Sequence, residues 1–446
     1  MEAEAELETT GAAGAAGAAG GENPGRMRKA RGAVPKLTRT EWGWAYYDVA
    51  FSAFAILSTA FLPIQLKLEG AEAGLGNAVT TAQWGYVQSF STLLLALLAP
   101  LLGAVADFKG KKKIVFGVFF VLGIGSLALM LAAGNYYVLL AANFICAVGY
   151  SGTNLVYDAY LVDVTEPKRM NLVSSMGFAA GYAGRCLPYL AGIVLYAVQP
   201  LGMGALGAIR CSIGITLLWW AGFSIPFFGR VKQRFGSGER PRRLIAASFS
   251  NMLRTLRAIA KDRDMALFLL AYFFYIDGVN TLISMSSDFG YDVGVSVTTM
   301  ALALLATQII AAPSVLVFER LARRFTTKNV ILITVCCFAA ICAYALVLRQ
   351  SWQFWVLAVS TGLVLGAVQA LSRAYFARMI PDSDRSNEYF GFFNVLARYS
   401  SVLGPLMIAA FTMGTGSSRY GVASIVLLFA LGFALLTRVR NLDRAA

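Results

Sequence analysis

Long apolar runs alternate with short polar breaks from residue 41 to residue 437. A helix that crosses a bilayer needs roughly 20 mostly apolar residues. On that measure the pattern predicts twelve spans, over 41–66, 83–106, 113–133, 136–157, 172–198, 206–228, 266–288, 297–320, 328–348, 352–374, 388–414 and 419–437. Gly and Pro occur inside several of them, which membrane helices tolerate because neighbouring groups satisfy the freed backbone. The expected fold class is an all-α membrane protein with twelve transmembrane helices.

The polar breaks divide the chain. Residues 1–40 combine Glu2, Glu4, Glu6 and Glu8, a Gly/Ala stretch from Gly11 to Gly21, and a basic stretch from Arg26 to Arg39. They lack the apolar pattern of a folding unit and are expected to be a disordered tail. Two six-span halves follow, 41–228 and 266–437, joined by a basic linker over 229–265 and ended by a tail over 438–446. Internal echoes support the halves. Ala159-Tyr160 followed by Asp163 resembles Ala374-Tyr375 followed by Arg378, and Tyr47-Asp48 resembles Tyr275-Ile276-Asp277. Lys and Arg fall on alternate breaks: 6 in the first tail, 4 between the second and third spans, 10 in the linker and 4 over 320–328. Positive charge marks the cytoplasmic side, so both termini are expected there, with the protein in the cell membrane.

Composition narrows the function. Of 446 residues, 58% are hydrophobic and 14% charged, against about 25% charged in soluble domains. The net charge of +14 is explained by topology, and no nucleic-acid partner is expected. There is no histidine, so a proton relay would have to use carboxylates, with Tyr in support. The six cysteines lie in apolar runs without zinc-ligand spacing, and no metal or other cofactor is expected. No phosphate-binding loop and no catalytic constellation is present, which argues against ATP-driven transport and against an enzyme.

Gly103-Ala104-Val105-Ala106-Asp107-Phe108-Lys109-Gly110-Lys111-Lys112-Lys113 resembles the loop signature of the major facilitator transporters. Trp42 to Asp48, Tyr272 to Gly278, Gly366 to Arg373 and Phe390 to Asn394 together resemble the vacuole effluxer family, named for autophagy-related vacuolar amino-acid exporters. The resemblance implies the major facilitator fold, with two pseudo-symmetric six-helix halves, a cavity lined by the first, fourth, seventh and tenth helices, and transport of amino acids. The sequence departs from the family at Val49, Phe51, Asp158 and Val162. In the second-half signature, Arg323 stands where Asp is usual and Thr326 where Gly is usual.

Charges inside spans are costly and face a cavity or a partner. Asp48, Asp277, Arg185 and Arg398 are such charges, and they are candidates for binding a zwitterion or a proton. The same four would also serve as structural salt bridges. Tyr47, Asn154, Tyr157, Asn280, Gln308, Gln369 and Asn394 are polar candidates for the same site. Gly103, Asp107, Gly110, Lys111, Asp158, Asp163 and Arg373 are expected near the cytoplasmic ends, in gating contacts. The expected function is a monomeric secondary carrier of small polar solutes in a lipid bilayer, with proton coupling through the carboxylates. The alternative is a multidrug or other small-molecule efflux carrier of the same fold.

Overall fold

Thr38 starts the first helix with a reciprocal cap: its hydroxyl accepts the Glu41 N–H at 3.2 Å, and the Glu41 carboxylate accepts the Thr38 N–H at 2.7 Å. The computed structural model describes residues 36–236, 244–284, 295, 297–348, 350–400, 403–415 and 418–444. The tail proposed as disordered, up to residue 35, lies outside them. The helices are α1 Arg39–Ala60, α2 Leu62–Glu72, α3 Asn77–Ala106, α4 Lys112–Ala132, α5 Tyr136–Ala159, α6 Met170–Val198, α7 Gly204–Arg230 and α8 Leu244–Lys261. They continue as α9 Arg263–Ser284, α10 Val297–Phe325, α11 Thr327–Tyr344, α12 Ser351–Met379, α13 Ser386–Tyr399, α14 Leu403–Thr415, α15 Ser418–Ser424 and α16 Val426–Thr437.

Among the described residues nine helical stretches are long and apolar enough to cross a membrane, and α1 with α2, bent by 47°, makes a tenth. Helix α3 and the α13–α14 pair occupy the two remaining predicted places. The bend falls at Phe61, where Pro63 in the first turn of α2 removes a backbone donor. The linker contains α8, a helix the sequence reading did not assign. Outward side chains are apolar, with Leu218 72% and Ile225 71% exposed, as a lipid-facing surface requires.

Two seams position the site. Helix α6 packs on α1 and also against α10 and α12, while α13 packs on α3 and α5. Apart from α6 on α1, these contacts join helices before the linker to helices after it. Lys113 and Lys328 play matched parts at the basic end. The Lys113 ammonium donates to the Phe228 and Val231 carbonyls, and that of Lys328 to the Thr437 and Val439 carbonyls. Each tethers a lysine-bearing turn to the last carbonyls of a membrane helix, where a cation is favoured.

Candidate functional site

Arg373, on α12, is 3% exposed and lies deep in the protein. Its guanidinium sits 3.1 Å from Asp158 and 3.5 Å from Asp48. It also donates to the Ser174 hydroxyl at 3.0 Å and the Ser174 carbonyl at 3.2 Å. The rings of Phe178 and Trp44 flank it at 4.3 and 4.7 Å, a use of the planar cation that lysine could not reproduce. Tyr157 donates to the same Asp48 oxygen that faces Arg373, Oδ2, at 2.6 Å. The Trp44 indole is held by the Tyr157 carbonyl at 3.1 Å. With both carboxylates ionised, two negative charges face one positive charge, so the set retains an attraction for a cation.

This group forms part of a cavity of about 240 Å³ that Asn154, Asn280, Gln369 and Asn394 also line. Gln369 accepts a hydrogen bond from Tyr182 at 2.8 Å, and Asn394 donates to the Phe390 carbonyl at 3.0 Å. The Asn154 side-chain carbonyl oxygen is buried with no hydrogen-bond partner among the described residues. Asn280 also lines a second cavity of about 590 Å³, walled by α1, α3, α9, α10 and α12 and including Gln308.

The other expected site residues lie elsewhere. The Asp277 carboxylate accepts the Gly404 N–H at 3.1 Å and the Thr281 hydroxyl at 3.1 Å, so it caps α14 and lines neither cavity. Arg185 stacks on Tyr182 at 4.5 Å and has no carboxylate partner among the described residues. Tyr47 is enclosed by aromatic rings and accepts from the Trp220 indole at 3.3 Å. The Arg398 side chain lies outside the described residues. Asp158, in the last turn of α5, and Arg373, both expected in gating contacts at the helix ends, line the cavity.

The remaining residues expected in gating contacts cluster at the basic end, in a set of contacts called the latch below. Asp107 follows α3 and meets the start of α13. Its carboxylate accepts the N–H groups of Asn387 and Glu388 at 2.9 and 2.8 Å, and the Asn387 side-chain amide as well. An acid at a helix N-terminus satisfies donors that the helix leaves unpaired. Burial pushes the Asp107 carboxyl up to about 7, against the pull of Lys112 and of the donors from Asn387 and Glu388. A side chain at Gly103 would place its first carbon 2.4 Å from the Asn387 carbonyl oxygen, so only glycine permits this approach. Gly110 adopts φ +77° and donates its N–H to Gln233 at 2.9 Å.

Lys112 provides the buried charge of the latch, 2.6 Å from Asp163 and 3.1 Å from the Ser386 hydroxyl. Its neighbour Lys111 is half-buried at the start of α4. Asp163 also accepts the Arg234 and Phe235 N–H groups at 2.7 and 2.9 Å. The corresponding Arg378 pairs with Asp443, and Asp443 accepts the Thr327 N–H at 2.5 Å. Asp443 is held below the ordinary carboxylate range because Arg378 and Thr327 outweigh its burial. Sequence reasoning did not place Lys112, Phe178 or Asn387 among the site residues, and it read Trp44 as an interface anchor rather than a partner of Arg373. Lys112 stands inside the quoted signature, so a signal existed for it.

Comparisons with known proteins agree with this architecture. Residues 162–446 match the family model described as Vacuole effluxer Atg22 like. The MFS-type transporter YxiO of Bacillus subtilis (strain 168) is 39% identical over 412 residues, covering 91% of this chain and 96% of that protein. Autophagy-related protein 22-1 of Aspergillus clavatus is 20% identical over 542 residues, covering 91% of this chain and 89% of that protein. The crystal structure of the human organic anion transporter MFSD10 (TETRAN) superposes with a TM-score of 0.71 at 17% identity, covering 89% of this chain and 98% of that one. The major facilitator transporter FucP, in the outward conformation, gives 0.66 at 16% identity, covering 89% and 98%. The chain is a multi-pass transporter and belongs to the vacuole effluxer Atg22-like family within the major facilitator superfamily.

Proposed function

We propose that the chain is a secondary carrier of amino acids or similarly small zwitterions, working by alternating access from the cell membrane. The observation that carries this reading is the buried Arg373, set between Asp48 and Asp158 in a 240 Å³ cavity. A guanidinium suits the solute's carboxylate. The excess negative charge suits its ammonium group, and the Asn154 side-chain oxygen, without a partner among the described residues, offers an acceptor nearby. The wider cavity lies on the far side of this site from the latch, so it serves as the outer vestibule and the latch as the cytoplasmic closure. The lysine-rich character of the latch end supports that orientation. Proton coupling falls to Asp48, whose carboxylate can exchange Arg373 for a proton during the cycle.

Binding and pH-driven uptake on the same reconstituted protein test this. A counterflow panel of amino acids, organic anions and drug-like cations identifies the solute class. Arg373→Lys keeps the charge but loses the stacked plane, and is expected to weaken zwitterion binding at least about tenfold. Asp48→Asn is expected to abolish pH-driven net uptake while exchange survives. Asp277→Asn, at a helix cap, is expected to leave both at the parent level. Parent-level binding and uptake in both Arg373→Lys and Asp48→Asn would overturn the proposal. Counterflow with drugs alone would favour the efflux carrier.

A further inference from the structure

The charged cavity accounts for only one end of a solute. The 590 Å³ cavity beyond it has mostly apolar walls, among them Met300, Leu304, Phe354 and Leu357. Two polar side chains in that wall stand out. Gln308 on α10 is 6% exposed and Thr361 on α12 is 7% exposed. The Gln308 side-chain carbonyl oxygen and the Thr361 hydroxyl are buried with no hydrogen-bond partner among the described residues. Their neighbour Thr307 shows the contrast, since its hydroxyl donates to the Ala303 and Ala358 carbonyls at 2.9 and 3.1 Å.

A buried polar group without a partner is unfavourable, and each one in a native structure calls for a reason. Here the reason is not packing alone, because Met and Val would fill the same volumes without that cost. The two groups are on adjacent helices and line the same cavity. Together they offer a carboxamide, which both donates and accepts, and a hydroxyl, which can do either. That is the complement of a neutral amide. Asn280 lines this cavity and the charged one, so the two cavities adjoin.

We propose that Gln308 and Thr361 form a second subsite that binds a neutral amide of the solute in the outer vestibule, before its charged end reaches Arg373. The substrate class is then a zwitterion that carries an amide, either as a side-chain carboxamide or as a peptide bond. This rests on the zwitterion reading above, and the test separates the two. Binding of alanine, glutamine and alanyl-alanine is measured on purified protein, for the parent, Gln308→Met and Thr361→Val. The expected result is that glutamine or alanyl-alanine binds the parent at least about tenfold more tightly than alanine, as one or two added hydrogen bonds allow. Which of the two does so tells side-chain amide from peptide bond. Each substitution is expected to remove most of that advantage and leave alanine binding unchanged. Both variants should unfold without solute at the parent temperature or higher; a marked drop would assign these residues a structural role and overturn the subsite. No amide advantage in the parent, or one that survives both substitutions, would overturn it while leaving the charged site standing. Failure of all three solutes to bind folded parent protein would overturn both.

Discussion

Gly103→Ala tests the latch with a single methyl group. Its new carbon would lie 2.4 Å from the Asn387 oxygen, 2.8 Å from the Asn387 carbonyl carbon and 3.1 Å from the Glu388 nitrogen. All three are backbone atoms and cannot rotate away. Relief requires α3 and the start of α13 to separate, which stretches the hydrogen bonds that Asp107 makes at 2.9 and 2.8 Å. Overpacking costs about 1–3 kcal/mol, and weakening hydrogen bonds to a charged group adds about 1 kcal/mol. The closed latch thus loses about 2–4 kcal/mol relative to the open one, a shift of roughly 30- to 700-fold in their ratio. The assay places a cysteine at Thr59, which is exposed and lines the outer cavity, in a background without the six native cysteines. Its labelling by a membrane-impermeant thiol reagent reports the latched, outer-open state. Labelling should slow sharply in Gly103→Ala. Gly117→Ala, whose added carbon meets nothing within 4 Å, should leave it unchanged. Equal labelling in Gly103→Ala and its parent would refute the latch as the element that holds this state.

Three further outcomes are expected. Asp107 is pushed up to about 7 in the closed latch and returns to an ordinary carboxyl near 3.8 when opening admits water, so the closed state binds the proton more tightly. Closure should therefore strengthen as pH falls through about 7 and weaken above it; spin-label distances across the latch that stay constant between about pH 8 and about pH 6 would contradict this. Lys112→Met leaves Asp163 buried without its cation and should destabilise the protein by about 3–5 kcal/mol, with partial recovery in Lys112→Met/Asp163→Asn; thermal unfolding in detergent decides, and a loss below about 1 kcal/mol would count against it. Thr326 is held at φ +80°, a conformation unfavourable for a β-branched residue, so Thr326→Gly should raise stability by about 1 kcal/mol; a lower unfolding temperature would show that the Asn441 hydrogen bond to Thr326 at 3.1 Å outweighs the backbone relief.

The helices were legible because apolar runs of span length leave the chain few alternatives in a bilayer. Five of the proposed solute residues, Asp48, Asn154, Asn280, Gln369 and Asn394, do share one cavity, since polar side chains inside spans turn toward partners. Asp277 misled for a geometric reason. The echo Tyr47-Asp48 against Tyr275-Ile276-Asp277 contains one extra residue, and one residue on a helix is about 100° of rotation. The cavity accordingly receives Asp48 and Ile276, while Asp277 turns to α14. Arg373 was misplaced because α12 runs on to Met379, beyond the predicted end of its span at residue 374. Among three consecutive lysines, composition cannot say which faces inward; the meeting of α4 with Asp163 and Ser386 selects Lys112.

The ion pair between Asp158 and Arg373 joins the two positions that the Ala159-Tyr160 and Ala374-Tyr375 echoes place in register. The next matched pair, Asp163 and Arg378, is likewise opposite in sign. Two copies of the first repeat, arranged about a two-fold axis, would set Asp158 against Asp158; two copies of the second would set Arg373 against Arg373. Neither self-pairing is electrostatically sustainable in a buried seam. The association between the repeats is therefore heterologous in sense although it resembles an isologous one in shape. Each repeat is specified as the other's complement, and neither can stand in for it.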